Sequence, residues 1–193
     1  MSSIQLKVSL TDTKPLIWRR ILVPADATAY ELHHMIQLAM GWRNHHLFEF
    51  NHSIYHLGLL DEYGEMDEEA MEQMKSVTVG QMADSVKTSF TYLYDMGDHW
   101  LHRVTVEEFV DKEIDHAICL EGEKACPPED CGGIGGFYEM LAIIKNKFNK
   151  ERLERMAWLN EYNPGWEKNK FDIDKANENL KNLKGWLKEA EKE

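Results

Sequence analysis

Long apolar runs are missing from this sequence of 193 residues. No stretch approaches the ~20 apolar residues of a membrane-spanning helix, and the N-terminus, Met1 to Lys7, lacks the apolar segment of a secretory signal peptide. Cysteine is scarce too, since the chain has only three, an odd number that does not suit a disulfide framework. We therefore expect free thiols, a cytoplasmic location and no membrane partner.

Positive charge is scarce. Lys and Arg number 22 against 34 Asp and Glu, which gives a net charge of −12. This charge repels phosphate backbones, and no dense Lys/Arg run offsets it, so the sequence disfavours generic nucleic acid as a partner. The 43% hydrophobic content is enough for a sizeable core. These features are typical of an acidic, soluble globular protein.

Two hairpins are predicted from alternating apolar and polar residues. Residues 4–10 alternate strictly, and turn chemistry over 11–15 leads to a second strand over 16–23. Residues 90–94 and 100–106 alternate in the same way around a short linker.

A helix over 28–40 is the clearest single element. Thr28 and Glu31 have capping-box spacing, apolar residues then recur at intervals of three and four, and Gly41 follows at the C-terminal end. The remaining predictions are a strand over 47–55, an acidic surface segment with a short helix over 61–72, a loop over 119–133, and helices over 134–148, 152–159 and from Asp174 onward.

The order of these elements is hairpin, helix, strands, hairpin and then helices. Such segregation indicates an α+β fold, and a helix across one face of a sheet suggests a β-grasp-like arrangement. We expect an α+β core over 1–150 and a helical C-terminal extension over 151–193 packed on it.

The second hairpin carries the densest group of polar side chains. Asp95, Asp98 and His102 have the chemistry of a divalent metal site or of acid–base catalysis. Alternatively, the two aspartates bond turn amides and His102 is ordinary sheet surface. The second interpretation is favoured.

Histidine and cysteine groupings give weaker signals. The pairs His33-His34 and His45-His46 each split their rings between two directions, so one His from each pair is the most that a single site can use. His116, Cys119, Cys126 and Cys131 lack the paired spacing of zinc ligands. Glycines at 132–136 precede a helix, but Glu129 and Asp130 beside them oppose a phosphate, so turn formation and close packing explain them better.

Arg19 is the most informative basic residue. It shares strand parity with Ile17 and Ile21, so an inward face would bury it and require a carboxylate partner. We expect Arg19 or Arg20 to pair with one of four acids, namely Asp95, Asp98, Glu129 and Asp130.

Several of these segments resemble one known family. Residues 15–20 (PLIWRR), 40–42 (MGW), 46–47 (HL), 94–102 (YDMGDHWLH) and 126–133 (CPPEDCGG) are similar to the motifs of the Ri-plasmid ORF-3-like family. The C-terminal Phe171-Asp172 and Asn177 resemble its last signature. Met96 and Phe137 stand where the family usually has Phe and Tyr, and Cys131 stands where it usually has an apolar residue. The resemblance implies an occurrence on plasmids, transposons and chromosomes, and it implies no activity.

Two hypotheses for function follow, and whether the chain is an enzyme stays open. The first is a non-catalytic binding or accessory protein, associated with mobile genetic elements and without a cofactor, whose ligand is a protein or a small molecule. The second is a metal-assisted hydrolase, in which an Asp/Glu/His cluster holds a divalent metal and an arginine stabilises charge. The first is favoured because no complete catalytic signature is present, and catalytic residues are unassigned. The candidate cluster comprises Trp18, Arg19, Arg20, Asp95, Asp98, Trp100, His102, Glu129 and Asp130.

Overall fold

The structure, a computed structural model, describes residues 2–58 and 67–190. Over these residues the chain forms seven strands and seven helices. The strands are β1 (Ser3–Leu10), β2 (Ile17–Pro24), β3 (Phe48–Asn51), β4 (His56–Gly58), β5 (Ser89–Tyr94), β6 (Trp100–Val110) and β7 (Ile118–Glu123). The helices are α1 (Ala29–Met40), α2 (Glu68–Ser76), α3 (Val79–Met82), α4 (Gly133–Lys145), α5 (Arg152–Tyr162), α6 (Ile173–Lys181) and α7 (Leu183–Ala190).

All seven strands join one antiparallel sheet in the order β4-β3-β5-β6-β1-β2-β7. The two predicted hairpins are confirmed as β1–β2 and β5–β6, and they lie side by side because β1 also pairs with β6. The α+β class is confirmed, and the β-grasp-like arrangement stays a prediction.

Helix α1 lies at the centre of the molecule. Ten of its twelve residues are buried, because it contacts the sheet on one side and α2, α6 and α7 on the other. The opposite face of the sheet carries partly exposed polar residues such as Gln5, Lys7 and Arg20. One covered face and one solvated face are typical of an antiparallel sheet. No helix in the described part of the chain combines the length and apolar character needed to cross a membrane.

The capping of α1 matches its prediction. The Thr28 hydroxyl accepts a hydrogen bond from Glu31 N at 3.1 Å, and the Glu31 carboxylate accepts one from Thr28 N at 2.8 Å. Gly41 ends the helix at φ 94°, a left-handed conformation that suits glycine.

Replacing Thr28 with Ala is expected to lower the free energy of unfolding by about 1 kcal/mol, because the Glu31 amide loses its acceptor. Urea denaturation of the wild-type and variant proteins measures the loss. Thr28→Ser is the matched control, since it keeps the hydroxyl and should lie close to wild type. Equal stability of the Ala and Ser variants would show that the cap contributes nothing.

Three sequence-based assignments are wrong in detail. Residues 118–123 are not loop but the edge strand β7, which pairs with β2. The strand predicted over 47–55 is shorter, since only Phe48–Asn51 is a strand there, and a second short strand, His56–Gly58, follows and pairs with it. The C-terminal helix is broken at Asn182 into α6 and α7. The acidic segment predicted over 61–72 lies partly outside the described residues. Its described part begins helix α2, whose N-cap is Asp67.

The edge strand β7 is covered by α6. The Asn177 side chain donates to Cys119 O at 3.0 Å and accepts from Cys119 N at 2.8 Å, so a side-chain amide takes the place of a further strand. Helix α6 also packs against α1. The division of the chain near residue 150 stays a prediction.

Candidate functional site

Arg19 points inward, on the same face of β2 as Ile17 and Ile21, and only 1% of its surface is exposed. Its guanidinium donates four hydrogen bonds of 2.8–3.0 Å to the backbone carbonyls of Trp18, Ala39, Glu123 and Lys124. The Phe171 ring stacks on it at 3.7 Å. Burial lowers the pKa of Arg19, and the nearby thiols of Cys126 and Cys119 act in the opposite direction.

The expected ion pair between these arginines and the four acids is wrong. Among the described residues, Arg19 has no carboxylate partner, and Arg20 lies on the solvated face with Glu107 and Glu121. Carbonyl dipoles replace the carboxylate at Arg19, and one of them, Ala39 O, belongs to the negative C-terminal end of α1. Trp18 also lies on the solvated face, where Lys7 Nζ lies 4.5 Å from its ring centroid.

Trp100 and His102 lie in the core, so the favoured expectation that His102 is ordinary sheet surface is wrong. Both are fully buried beneath Trp42, whose ring centroid is 6.0 Å from that of Trp100 and 5.3 Å from that of His102. His102 Nδ1 contacts Tyr92 O at 3.3 Å, and burial lowers the pKa of this imidazole to about 4. The side chain of His102 therefore does not join Asp95 and Asp98 in a surface metal site.

The two aspartates of the turn bond backbone amides. Asp95 Oδ1 accepts from Gly97 N at 2.8 Å and from Asp98 N at 3.2 Å. Asp98 Oδ2 accepts from Gly132 N at 3.1 Å, which ties the turn to the segment before α4. The glycines there allow close packing, because a Cβ on Gly133 would overlap Asp98 O.

Glu129 adds further hydrogen bonds in the same region. It accepts hydrogen bonds from the Tyr94 hydroxyl and from Arg43 N, the latter at 3.1 Å. Burial, and then the bond to Glu129, raise the pKa of Tyr94 well above its usual range. Three motif segments, around residues 42–47, 94–98 and 126–133, thus meet at one place.

His46 is the residue of this meeting point that the candidate cluster omitted. Its Nε2 lies 3.6 Å from Asp95 Oδ2 and 3.2 Å from Asp130 Oδ1. Within the described ranges, these three residues are the one group of His, Cys, Asp or Glu side chains with metal-compatible spacing. The sequence allowed one His from each pair to join a site, but it offered no reason to choose His46.

The three cysteines are free and buried, as expected. Burial raises the pKa of Cys131 to about 12 and also raises the pKa values of Cys119 and Cys126. Neutral thiols of this kind are poor nucleophiles, so the cysteines belong to the packing of the core.

A cleft that sequence reasoning missed lies beside α4 and α5. It encloses about 720 Å³, within the 300–1,000 Å³ typical of small-molecule sites. Its apolar lining comes from Pro15, Ile17, Phe137, Tyr138, Leu141, Ala142, Ile144, Met156, Leu159 and Trp166.

All charged residues that line this cleft, which we call the lysine cleft, are positive. Four lysines contribute to it, Lys14, Lys124, Lys145 and Lys168, together with Asn160 and Asn169. No Asp or Glu of the described residues lines it, although acids outnumber bases in the chain by 34 to 22. None of the four ammonium groups forms an ion pair within residues 2–58 and 67–190.

Comparison with known proteins gives three similarities. Residues 2–175 match the family model described as plasmid pRiA4b ORF-3-like protein. An uncharacterised protein, y4hQ of Sinorhizobium fredii, is 34% identical over 158 residues, which cover 81% of this chain and 80% of that protein. The crystal structure of a protein of unknown function, MM3350 of Methanosarcina mazei Go1, has a TM-score of 0.74 and 28% sequence identity, covering 89% of this chain and 96% of that one.

Proposed function

This chain belongs to the plasmid pRiA4b ORF-3-like family, and we propose that it is a non-catalytic binding protein that holds a small amphipathic anion in the lysine cleft. The observation that carries the proposal is an apolar cleft whose charged lining is entirely lysine, in a protein of net charge −12. The y4hQ protein is uncharacterised and MM3350 is a protein of unknown function, so the ligand class follows from the cleft alone.

The shape of the cleft favours a ligand with an apolar body. Two apolar side chains of α4, Leu141 and Ile144, and two of α5, Met156 and Leu159, line the cleft. Trp166 lines the cleft as well, and its indole donates to Cys126 O at 2.7 Å, which fixes the ring in place. Rigid apolar walls with a few polar groups are typical of small-molecule sites.

The charge of the cleft favours an anionic head group. Lys14, Lys124, Lys145 and Lys168 come from four separate segments and surround the same apolar surface. A carboxylate or phosphate placed at this rim gains attraction from several ammonium groups, whereas the negative protein as a whole repels it. The local field therefore selects anions that also bury an apolar chain.

The alternative from the sequence, metal-assisted hydrolysis, receives less support. It needs an arginine beside the Asp/Glu/His cluster to stabilise developing charge. Arg19 is instead enclosed by backbone carbonyls, and Arg20 pairs with Glu107 on the solvated face. An accessory role on mobile genetic elements forms part of the proposal through the family resemblance alone.

Decanoate is a suitable probe, and isothermal titration calorimetry measures its binding. Replacing Lys145 and Lys168 together with Gln is expected to weaken decanoate binding by about 5- to 30-fold, because two exposed charge contacts contribute about 1–2 kcal/mol in all.

The matched control removes two lysines outside the cleft. Lys112→Gln with Lys150→Gln changes the net charge equally at exposed positions, so decanoate affinity should stay within about twofold of wild type. Decyltrimethylammonium, a cation of the same chain length, should bind far more weakly than decanoate. Equal binding of the two amphiphiles, or equal loss in the two double variants, would contradict the proposal.

A further inference from the structure

His46 Nε2 is a buried nitrogen without a hydrogen-bond partner, although Asp130 Oδ1 lies only 3.2 Å away. If a protonated imidazole held these carboxylates by hydrogen bonds, its N–H would point at one of the two oxygens. Here Nε2 forms a hydrogen bond with neither oxygen, although Asp95 Oδ2 lies 3.6 Å and Asp130 Oδ1 3.2 Å away. All three donor atoms lie within 4.8 Å of one another.

The spacing of these atoms suits a tetrahedral ion. Ligands at about 2.0–2.1 Å from zinc lie about 3.3–3.4 Å apart along a tetrahedral edge. The two distances from His46 Nε2, 3.2 and 3.6 Å, bracket that value. The two carboxylate oxygens lie within 4.8 Å of each other, so all three atoms can approach a single ion.

The two carboxylates are held in position by their turns. Asp95 has φ 61° and Asp130 has φ 58°, left-handed conformations that aspartate tolerates better than most residues. Turn amides occupy Asp95 Oδ1, which leaves Oδ2 directed at His46. The bond from Gly132 N to Asp98 keeps the two turns together. Oriented ligands of this kind lower the entropic cost of binding an ion.

We propose that His46, Asp95 and Asp130 bind one divalent transition-metal ion, with zinc the best fit. One imidazole and two carboxylates form a borderline ligand set that suits zinc better than magnesium or calcium, which prefer oxygen ligands alone. Asp130 has 69% of its side chain exposed, so the fourth position faces solvent. The ion joins the segments that carry His46, Asp95 and Asp130, and it offsets their negative charge.

Metal titration of the full chain tests this site. Protein purified without a metal-affinity tag and stripped with a chelator is titrated with zinc chloride by calorimetry. We expect one zinc per chain and a rise in the melting temperature on zinc addition. Asp130→Asn should weaken zinc binding by about 100-fold or more, since even a residue that only orients a ligand costs about 10- to 100-fold.

The matched control is the other His–Asp pair in the described chain. His52 Nε2 lies 3.7 Å from Asp84 Oδ2 with no second carboxylate, so Asp84→Asn should leave zinc affinity unchanged. His46→Gln serves as the second ligand variant and should behave like Asp130→Asn.

Two results would overturn the site. The first is wild-type protein that binds no zinc, which would make His46 an ion-pair partner alone. The second is Asp130→Asn or His46→Gln protein that binds zinc as tightly as wild type. Neither result bears on decanoate binding, because none of the three ligands lines the lysine cleft.

Discussion

Replacing Arg19 with Met is expected to lower the free energy of unfolding by about 3–5 kcal/mol. Methionine matches the length of the stem but removes the donors that four carbonyls share, and each buried carbonyl left without a donor costs about 1–3 kcal/mol before water compensates. Two of these carbonyls, Glu123 O and Lys124 O, lie at the end of β7, and Ala39 O lies at the end of α1. The substitution therefore weakens the packing of β2 against α1 and the edge strand β7.

Arg20→Met is the control for this change, because it alters the adjacent residue in the same way. Arg20 is partly exposed and pairs with Glu107 and Glu121. Ion pairs in such settings contribute less than about 1 kcal/mol. Urea denaturation followed by circular dichroism measures both losses. Similar losses for the two variants would show that the hydrogen bonds from Arg19 to the four carbonyls stabilise the fold no more than the exposed ion pairs of Arg20.

Acidification is expected to destabilise the fold steeply below about pH 6.5. Burial lowers the pKa of His34 and of His102 to about 4, and it lowers the pKa of His33 well below its usual value. Between about pH 6.5 and 4 the unfolded chain binds protons that the folded chain refuses, so stability falls as the pH falls. Each histidine contributes about 1.4 kcal/mol per pH unit, which makes roughly 4 kcal/mol per unit for the three.

Equilibrium denaturation at pH 7, 6 and 5 measures this slope. His34→Gln should reduce it by about a third, because one titrating group is removed while an acceptor for the Trp186 indole is kept. A stability that stays level from pH 7 to pH 5 would mean that these imidazoles protonate freely in the folded protein. Glu107, whose pKa the bond to Arg20 lowers, adds its effect only below about pH 4.5.

Local patterns were sufficient to predict the elements with strong sequence signals. The Thr28–Glu31 capping box and the Gly41 stop define α1 within a residue, because both depend on neighbours along the chain. Strand alternation predicted the two hairpins for the same reason, and it placed Arg19 on one face with Ile17 and Ile21.

Predictions that depended on tertiary partners were less successful. Burial of Arg19 suggested a carboxylate, but backbone carbonyls met the same electrostatic need, and sequence cannot show which carbonyls lack donors. Strand β7 looked like a loop because most of it falls in the Pro/Gly/Cys-rich stretch over 119–133. Gly122 is required there, since a Cβ would lie 2.8 Å from Arg19 Cδ and 2.7 Å from the Phe171 ring.

The lysine cleft and the His46 group were invisible in the sequence for a common reason. Lys14, Lys124, Lys145 and Lys168 are far apart along the chain and form no basic run. The residues of the proposed metal site are likewise drawn from three segments, and they converge only because hydrogen bonds tie the turn at Asp98 to Gly132. The family resemblance marked these three segments without revealing that they meet.

The most direct test of the proposed function is a titration of ¹⁵N-labelled protein with decanoate, followed through the indole N–H signals of its six tryptophans in NMR spectra. Trp166 lines the lysine cleft, whereas Trp18 lies on the far face of the sheet and Trp100 is sealed in the core. We expect the Trp166 signal to shift in a saturable way while the signals of Trp18 and Trp100 stay in place. A Trp166 signal that does not move at saturating decanoate, or a larger shift at Trp18, would contradict binding in the lysine cleft.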